Sequence, residues 1–188
     1  MELLERANAL KELGFFGAGL TESPEELCRK VEDTPPCDPE HAPATALLLA
    51  AEMVLEIPAE AAMEPEDYED LLVQIQDFCA GVFIVSEVHA SLMEGPASDA
   101  APARLIRLRF KLDGQRYECE LACDDDMVDL GFLHEIEKHL AAKGEPRRLC
   151  PLVELMDDTA RYVFIEPEIM EKAELEQVIS SPDFEEDY

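Results

Sequence analysis

The chain has 188 residues, with 44 Asp plus Glu against 15 Lys plus Arg and a formal net charge of −29. That balance argues against direct nucleic-acid binding, which needs clustered Lys and Arg, and an anionic membrane would repel it. Hydrophobic residues make up 47% of the chain, enough at this length to bury a core, which excludes a wholly disordered acidic polymer.

The charge is uneven. Residues 1–80 hold 19 acids and 4 bases, residues 81–165 hold 16 and 10, and residues 166–188 hold 9 and 1. The middle is almost balanced, and the two flanks carry the excess. The opening Met1-Glu2-Leu3-Leu4-Glu5 lacks the basic and apolar regions of a signal peptide. No run of about 20 apolar residues exists to span a bilayer. The expected compartment is the cytoplasm. The six cysteines, at 28, 37, 79, 119, 123 and 150, form no C-x-x-C pair and are expected to be reduced.

Leu3, Leu4, Ala7, Leu10 and Leu13 fall at helical spacing, and Gly14 can end that helix. Ser23-Pro24-Glu25-Glu26 is a second helix start: Ser23 caps, Pro24 sits at N1 and Glu26 completes a capping box. This helix runs to about Asp33. Four prolines between Thr34 and Pro43 allow neither helix nor central strand, so 34–43 reads as a linker. Residues 44–57 are apolar on nearly all sides and read as one buried helix ended by Pro58. Glu64-Pro65-Glu66-Asp67 opens another helix, with Leu71, Leu72, Ile75, Phe78 and Cys79 as its apolar stripe.

Val82 to Val88 reads as a strand, and Gly95 to Pro102 as a loop. Leu105 to Leu112 alternates apolar and basic residues, Asp113-Gly114 signals a type I′ turn, and Gln115 to Cys123 alternates again. A two-residue loop then opposes Arg109 to Glu118 and Arg107 to Glu120 on one face. On the other face it opposes Phe110 to Tyr117, Leu108 to Cys119 and Ile106 to Leu121. A slip of one residue would lose both patterns together. Asp129 is a candidate N-cap for a helix over 130–143 that ends at Gly144. Leu149 to Met156 and Arg161 to Ile165 read as a second strand pair, Pro167 opens a last helix, and 181–188 reads as a disordered acidic tail.

These elements imply an α+β fold. An antiparallel sheet of about five strands, with hairpin 104–123 central, is flanked by helices and preceded by a helical N-terminal segment. The expected organisation is a helical segment over 1–33, the linker 34–43, an α+β domain over 44–180 and the tail.

No constellation carries recognisable chemistry. His134 and His139 are five residues apart, so they do not share a helix face as a zincin pair would, and both are expected to be solvated. Cys119 and Cys123 share a strand face and read as small core residues rather than as zinc ligands with Cys150. Asp124 to Asp126 could hold a divalent cation, but no EF-hand spacing follows them, so they read as turn and capping acids. There is no P-loop, G-x-S-x-G or G-x-G-x-x-G. The chain is expected to be non-enzymatic, with no metal and no cofactor.

The acidic surface is the feature that exceeds background. It points to a basic protein partner, with no direct nucleic acid and no membrane. The first reading is an immunity or antitoxin-type inhibitor of a basic protein. Its candidate contacts are Asp124, Asp125, Asp126, Asp157 and Asp158, which cluster in loops beside a rigid sheet. From residue 65 the expected element order is α-β-β-β-α-β-β-α, which resembles the class I type III secretion chaperones. That resemblance implies a dimeric, effector-binding chaperone, and hence a homodimer. A DNA mimic is the third reading.

Overall fold

A computed structural model describes residues 1–17, 20–58, 64–93, 104–123, 128–155 and 157–180. It is mixed helix and strand, with six helices and two three-stranded antiparallel sheets among the described residues. The chain forms two compact units. The first joins Met1–Glu56 to Arg147–Tyr188, and the second is Ile57–Pro146.

In the first unit, α1 (Leu3–Leu13) starts on a capping box between Glu2 and Glu5 and ends on Gly14 in the left-handed region. Helix α2 (Pro24–Asp33) has the Ser23–Glu26 box expected of it. The proline-rich stretch lies within this unit, and Pro43 opens α3 (Pro43–Ala50).

Residues 44–57 are not one helix. Helix α3 stops at Ala50, Glu52 turns left-handed (φ +56°), and the Met53 N–H reaches back to the Leu48 carbonyl. That is the bonding of a glycine-type helix stop made by a glutamate. The freed Leu55–Pro58 becomes strand β1, buried and exposed by turns.

This explains why a single sheet of about five strands does not form. With strands β5 (Arg148–Leu152) and β6 (Thr159–Ile165), β1 makes the first sheet, in the order β1-β6-β5. The expected β5–β6 pair is present, and it takes its third strand from the N-terminal half of the chain. Helix α6 (Pro167–Leu175) follows. Leu10, Leu27, Val31, Leu47, Leu48, Val163 and Met170 share one core.

In the second unit, α4 (Pro65–Phe78) buries Tyr68, Leu71, Leu72 and Ile75. Strand β2 (Val85–Met93) starts later than expected, because Val82 and Phe83 complete the turn after α4. The hairpin of β3 (Arg104–Leu112) and β4 (Gln115–Cys123) has the expected register throughout. Asp113 (φ +49°) and Gly114 (φ +85°) are both left-handed, as a type I′ turn requires. The sheet order is β2-β3-β4. Ile106, Leu108, Phe110, Leu112 and Leu121 are buried on its inner face.

Helix α5 (Leu133–Lys143) starts three residues later than expected. Asp129 accepts the Gly131 and Ala122 N–H groups at 2.7 and 2.8 Å, while Phe132 takes the N-cap place. No described helix is long and apolar enough to cross a membrane. The expected loop 95–102 and tail 181–188 lie outside the described residues.

Candidate functional site

The alternation of β3 and β4 sets two faces, and each face builds a site. On the outer face, Arg109 Nε lies 3.0 Å from Glu118, while Arg107 lies 3.3 Å from Glu118 and 3.2 Å from Glu120. Lys111 pairs with Glu87. The Glu87 carboxylate is aimed there by a β-bulge between Ser86 and His89, in which Glu87 is left-handed (φ +50°). The Lys111 hydrogen bond pulls the Glu87 carboxyl below its ordinary range, and the Arg109 bond does the same to Glu118. A shallow concavity of about 470 Å³ opens here beside Arg109, Lys111, Arg116 and His89.

The inner face holds the residue that sequence reasoning misplaced. His139 is buried, 4% exposed, rather than solvated. Its Nδ1 lies 2.9 Å from the Tyr117 hydroxyl and its Nε2 2.9 Å from Asp113 Oδ2. Lys143 Nζ donates to the same oxygen at 2.6 Å, and the Ile84 N–H donates to Asp113 Oδ1 at 3.0 Å. His139 and Lys143 are one helical turn apart, so both reach the hairpin tip, where the type I′ turn has placed Asp113. The signal available in the sequence was that His139 lies three residues after the core residue Ile136 and next to Leu140. His134, on the opposite side of the helix, is exposed as expected.

An Asp–His–Tyr chain resembles a proton relay. Here, however, burial pushes the Tyr117 phenol up, so the hydroxyl keeps its proton. The hydrogen bonds fasten the hairpin turn to α5.

Bonds from Lys143 and then His139 hold the Asp113 carboxyl down at about 2. A carboxyl depressed in the folded state contributes stability above its unfolded pKa, and that contribution fades as pH falls from about 4 to about 2. Asn tolerates the left-handed turn position, so Asp113→Asn removes the charge and one acceptor oxygen without straining the turn. It should cost about 1.5 kcal/mol at neutral pH, and the gap to the parent should close over that acid window in thermal unfolding. A gap independent of pH would contradict the assignment.

In the first unit a buried carboxylate was also missed. The Glu154 side chain has no exposed area. It accepts from the Thr45 N–H at 2.7 Å, the Thr45 hydroxyl at 2.8 Å and the Ser180 N–H at 2.9 Å, with Arg6 at 4.0 Å. Arg6 in turn donates to the Val178 carbonyl. Thr45 is in the first turn of α3, so Glu154 answers a helix N-terminus.

The predicted contacts fare differently. Asp124, Asp125 and Asp126 lie outside the described residues. Asp157 is bound at both oxygens by Arg161, at 2.6 and 3.0 Å, and that bond lowers its carboxyl. Arg161 also holds Glu56 of the neighbouring strand at 2.9 Å. Asp158 is exposed, and no described cation meets it. The two segments are therefore not shown side by side.

Cys28, Cys37, Cys79, Cys119 and Cys150 form no disulfide. Burial pushes the Cys119 thiol up to about 11, so it is protonated at neutral pH. No group of three or more His, Cys, Asp or Glu among the described residues is placed to hold a metal ion.

Helix α4 presents a further surface. It contains no Lys or Arg. Glu66, Asp70 and Asp77 are exposed along one side, with Val73 (48% exposed) among them. No family model, curated protein or solved structure matches the chain.

Proposed function

We propose that the chain is a non-enzymatic acidic binding module that covers a basic protein, as an immunity or antitoxin-type inhibitor does. The observation that carries this reading is how the cations are spent. Lys30, Arg107, Arg109, Lys111, Lys138, Lys143, Arg161 and Lys172 each lie within 4.0 Å of a carboxylate of the same chain. Among the described residues, Glu66, Asp70, Asp77 and Asp158 are exposed and make no ion pair, and the net charge of −29 is presented to the surroundings. The proposed contacts are Asp124, Asp125, Asp126, Asp157 and Asp158, and, taken separately, the α4 row of Glu66, Asp70 and Asp77. Val73 gives that row an apolar centre with an acidic rim, a match for a basic surface with one apolar anchor.

Affinity capture of the tagged chain from its native lysate, at low and high salt, tests this. One dominant basic protein, released by salt, is the expected result. No enriched protein at low salt would contradict it. An unselective spread of basic proteins would reduce the surface to net charge alone.

The order α4–β2–β3–β4–α5–β5–β6–α6 favours a second reading, a type III secretion-like effector chaperone. In that case the captured partner is an extended segment of a secreted protein rather than a folded basic one.

A further inference from the structure

Strand β4 is an edge of the β2-β3-β4 sheet. The turn closes on Leu112 and Gln115, so that pair and every second pair beyond it exchange the ladder hydrogen bonds. The N–H and C=O groups of Arg116, Glu118, Glu120 and Ala122 therefore point away from β3. Asp129 meets the Ala122 N–H. Among the described residues nothing meets the backbone of the other three.

The other edges are blunted. β2 carries a bulge, β5 carries Pro151, and β1 has only four residues. β4 runs nine residues without proline, glycine or bulge. A straight open edge is a template for another strand.

Charge selects which strand. Arg116 faces Lys111 across the ladder, Lys111 is taken by Glu87, and no described carboxylate lies within 4.0 Å of Arg116. Suppose that β4 pairs antiparallel with β4 of a second copy, about a two-fold axis at Glu118. The open backbone groups then face one another, and each Arg116 opposes Glu120 of the other copy. Opposite charges directly across such a pair stabilise it. Glu118 meets its own counterpart already bridged by Arg107 and Arg109.

We propose that two copies of this chain pair along β4, Arg116 to Glu120, into a continuous six-stranded sheet. The proposal does not depend on the basic-partner reading and differs from it in salt dependence. Two chains of −29 repel, and salt screens that repulsion, so the pairing tightens with salt, whereas capture of a basic protein weakens.

The test uses the full chain carrying Glu118→Cys, oxidised in air with a copper catalyst and read on a non-reducing gel. Residue 118 lies on the axis, while 120 is displaced beyond disulfide reach of its counterpart. Cross-linking of E118C should exceed that of E120C and of the parent chain by at least ~10-fold. Light scattering of the parent chain should show a dimer fraction that rises with salt. If E118C does not fold, a mixture of R116C and E120C should link to each other and neither to itself. Equal cross-linking in all variants, or a monomer at every salt concentration, would overturn the proposal.

Discussion

Glu154→Ala should lower the unfolding free energy by about 3–5 kcal/mol, the cost of removing one partner from a buried charged network. The carboxylate has no exposed area and joins three segments far apart in sequence. Its loss strips Thr45 of both its bonds, frees the Ser180 N–H and removes the carboxylate nearest Arg6, whose Nε already lacks a partner. Glu154→Gln is the informative companion. It keeps one acceptor oxygen but turns the other site into a donor facing donors, so it should recover only part of the loss. Urea unfolding with a probe in α1 checks both variants. An alanine variant within about 1 kcal/mol of the parent would mean that the three segments are held by packing alone.

Phe110→Ala should cost about 3–5 kcal/mol, the range for a buried aromatic whose cavity cannot collapse. Phe110 is 2% exposed and stacks on Tyr117 with ring centroids 5.6 Å apart. Tyr117 in turn packs edge-on against His139 at 5.8 Å. The cavity should therefore loosen the His139–Asp113 tie as well as the sheet. Hydrogen exchange in the second unit should show lost protection at the hairpin tip and the last turn of α5. Loss confined to β3 would show that the tie stands without the stack.

These two effects fall on residues of very different legibility in sequence. Phe110 could be placed from alternation and the Asp-Gly turn, because period and register in a hairpin are local properties. The capping boxes at Ser23 and the glycine stops at Gly14 and Gly144 were legible for the same reason. Glu154 was not, because its partners lie 109 residues upstream and 26 downstream. His139 was misread because helix position was judged by the pair it failed to make with His134. Its distance from the buried Ile136 and Leu140 was the better guide.

The helix stops show the same boundary. Five helices end on a left-handed residue, Gly14, Glu52, Ala80, Gly144 or Gln177, and the N–H of the next residue bonds the carbonyl five residues before it. Glycine announces that geometry, because a left-handed residue with a Cβ costs about 1–2 kcal/mol. Where tertiary packing overrides the cost, as at Glu52, the stop is silent. Strand β1 was hidden behind it, and the division into two sheets followed. Of the candidate contacts, Asp157 and Asp158 are both exposed, and Asp157 also answers Arg161. A preference for loop acids could not separate the two without the strand pairing that brings Arg161 to Asp157.

In the proposed function, exposed carboxylates of this chain hold a basic protein. The most direct measurement is the association constant for the captured partner against salt concentration, for the parent chain and for variants neutralised at Asp158 and along Glu66, Asp70 and Asp77. Affinity should fall steeply with salt in the parent, and neutralising the contacting row should cost about 1–3 kcal/mol with a shallower salt dependence. Affinity indifferent to salt and to every one of these substitutions would contradict it.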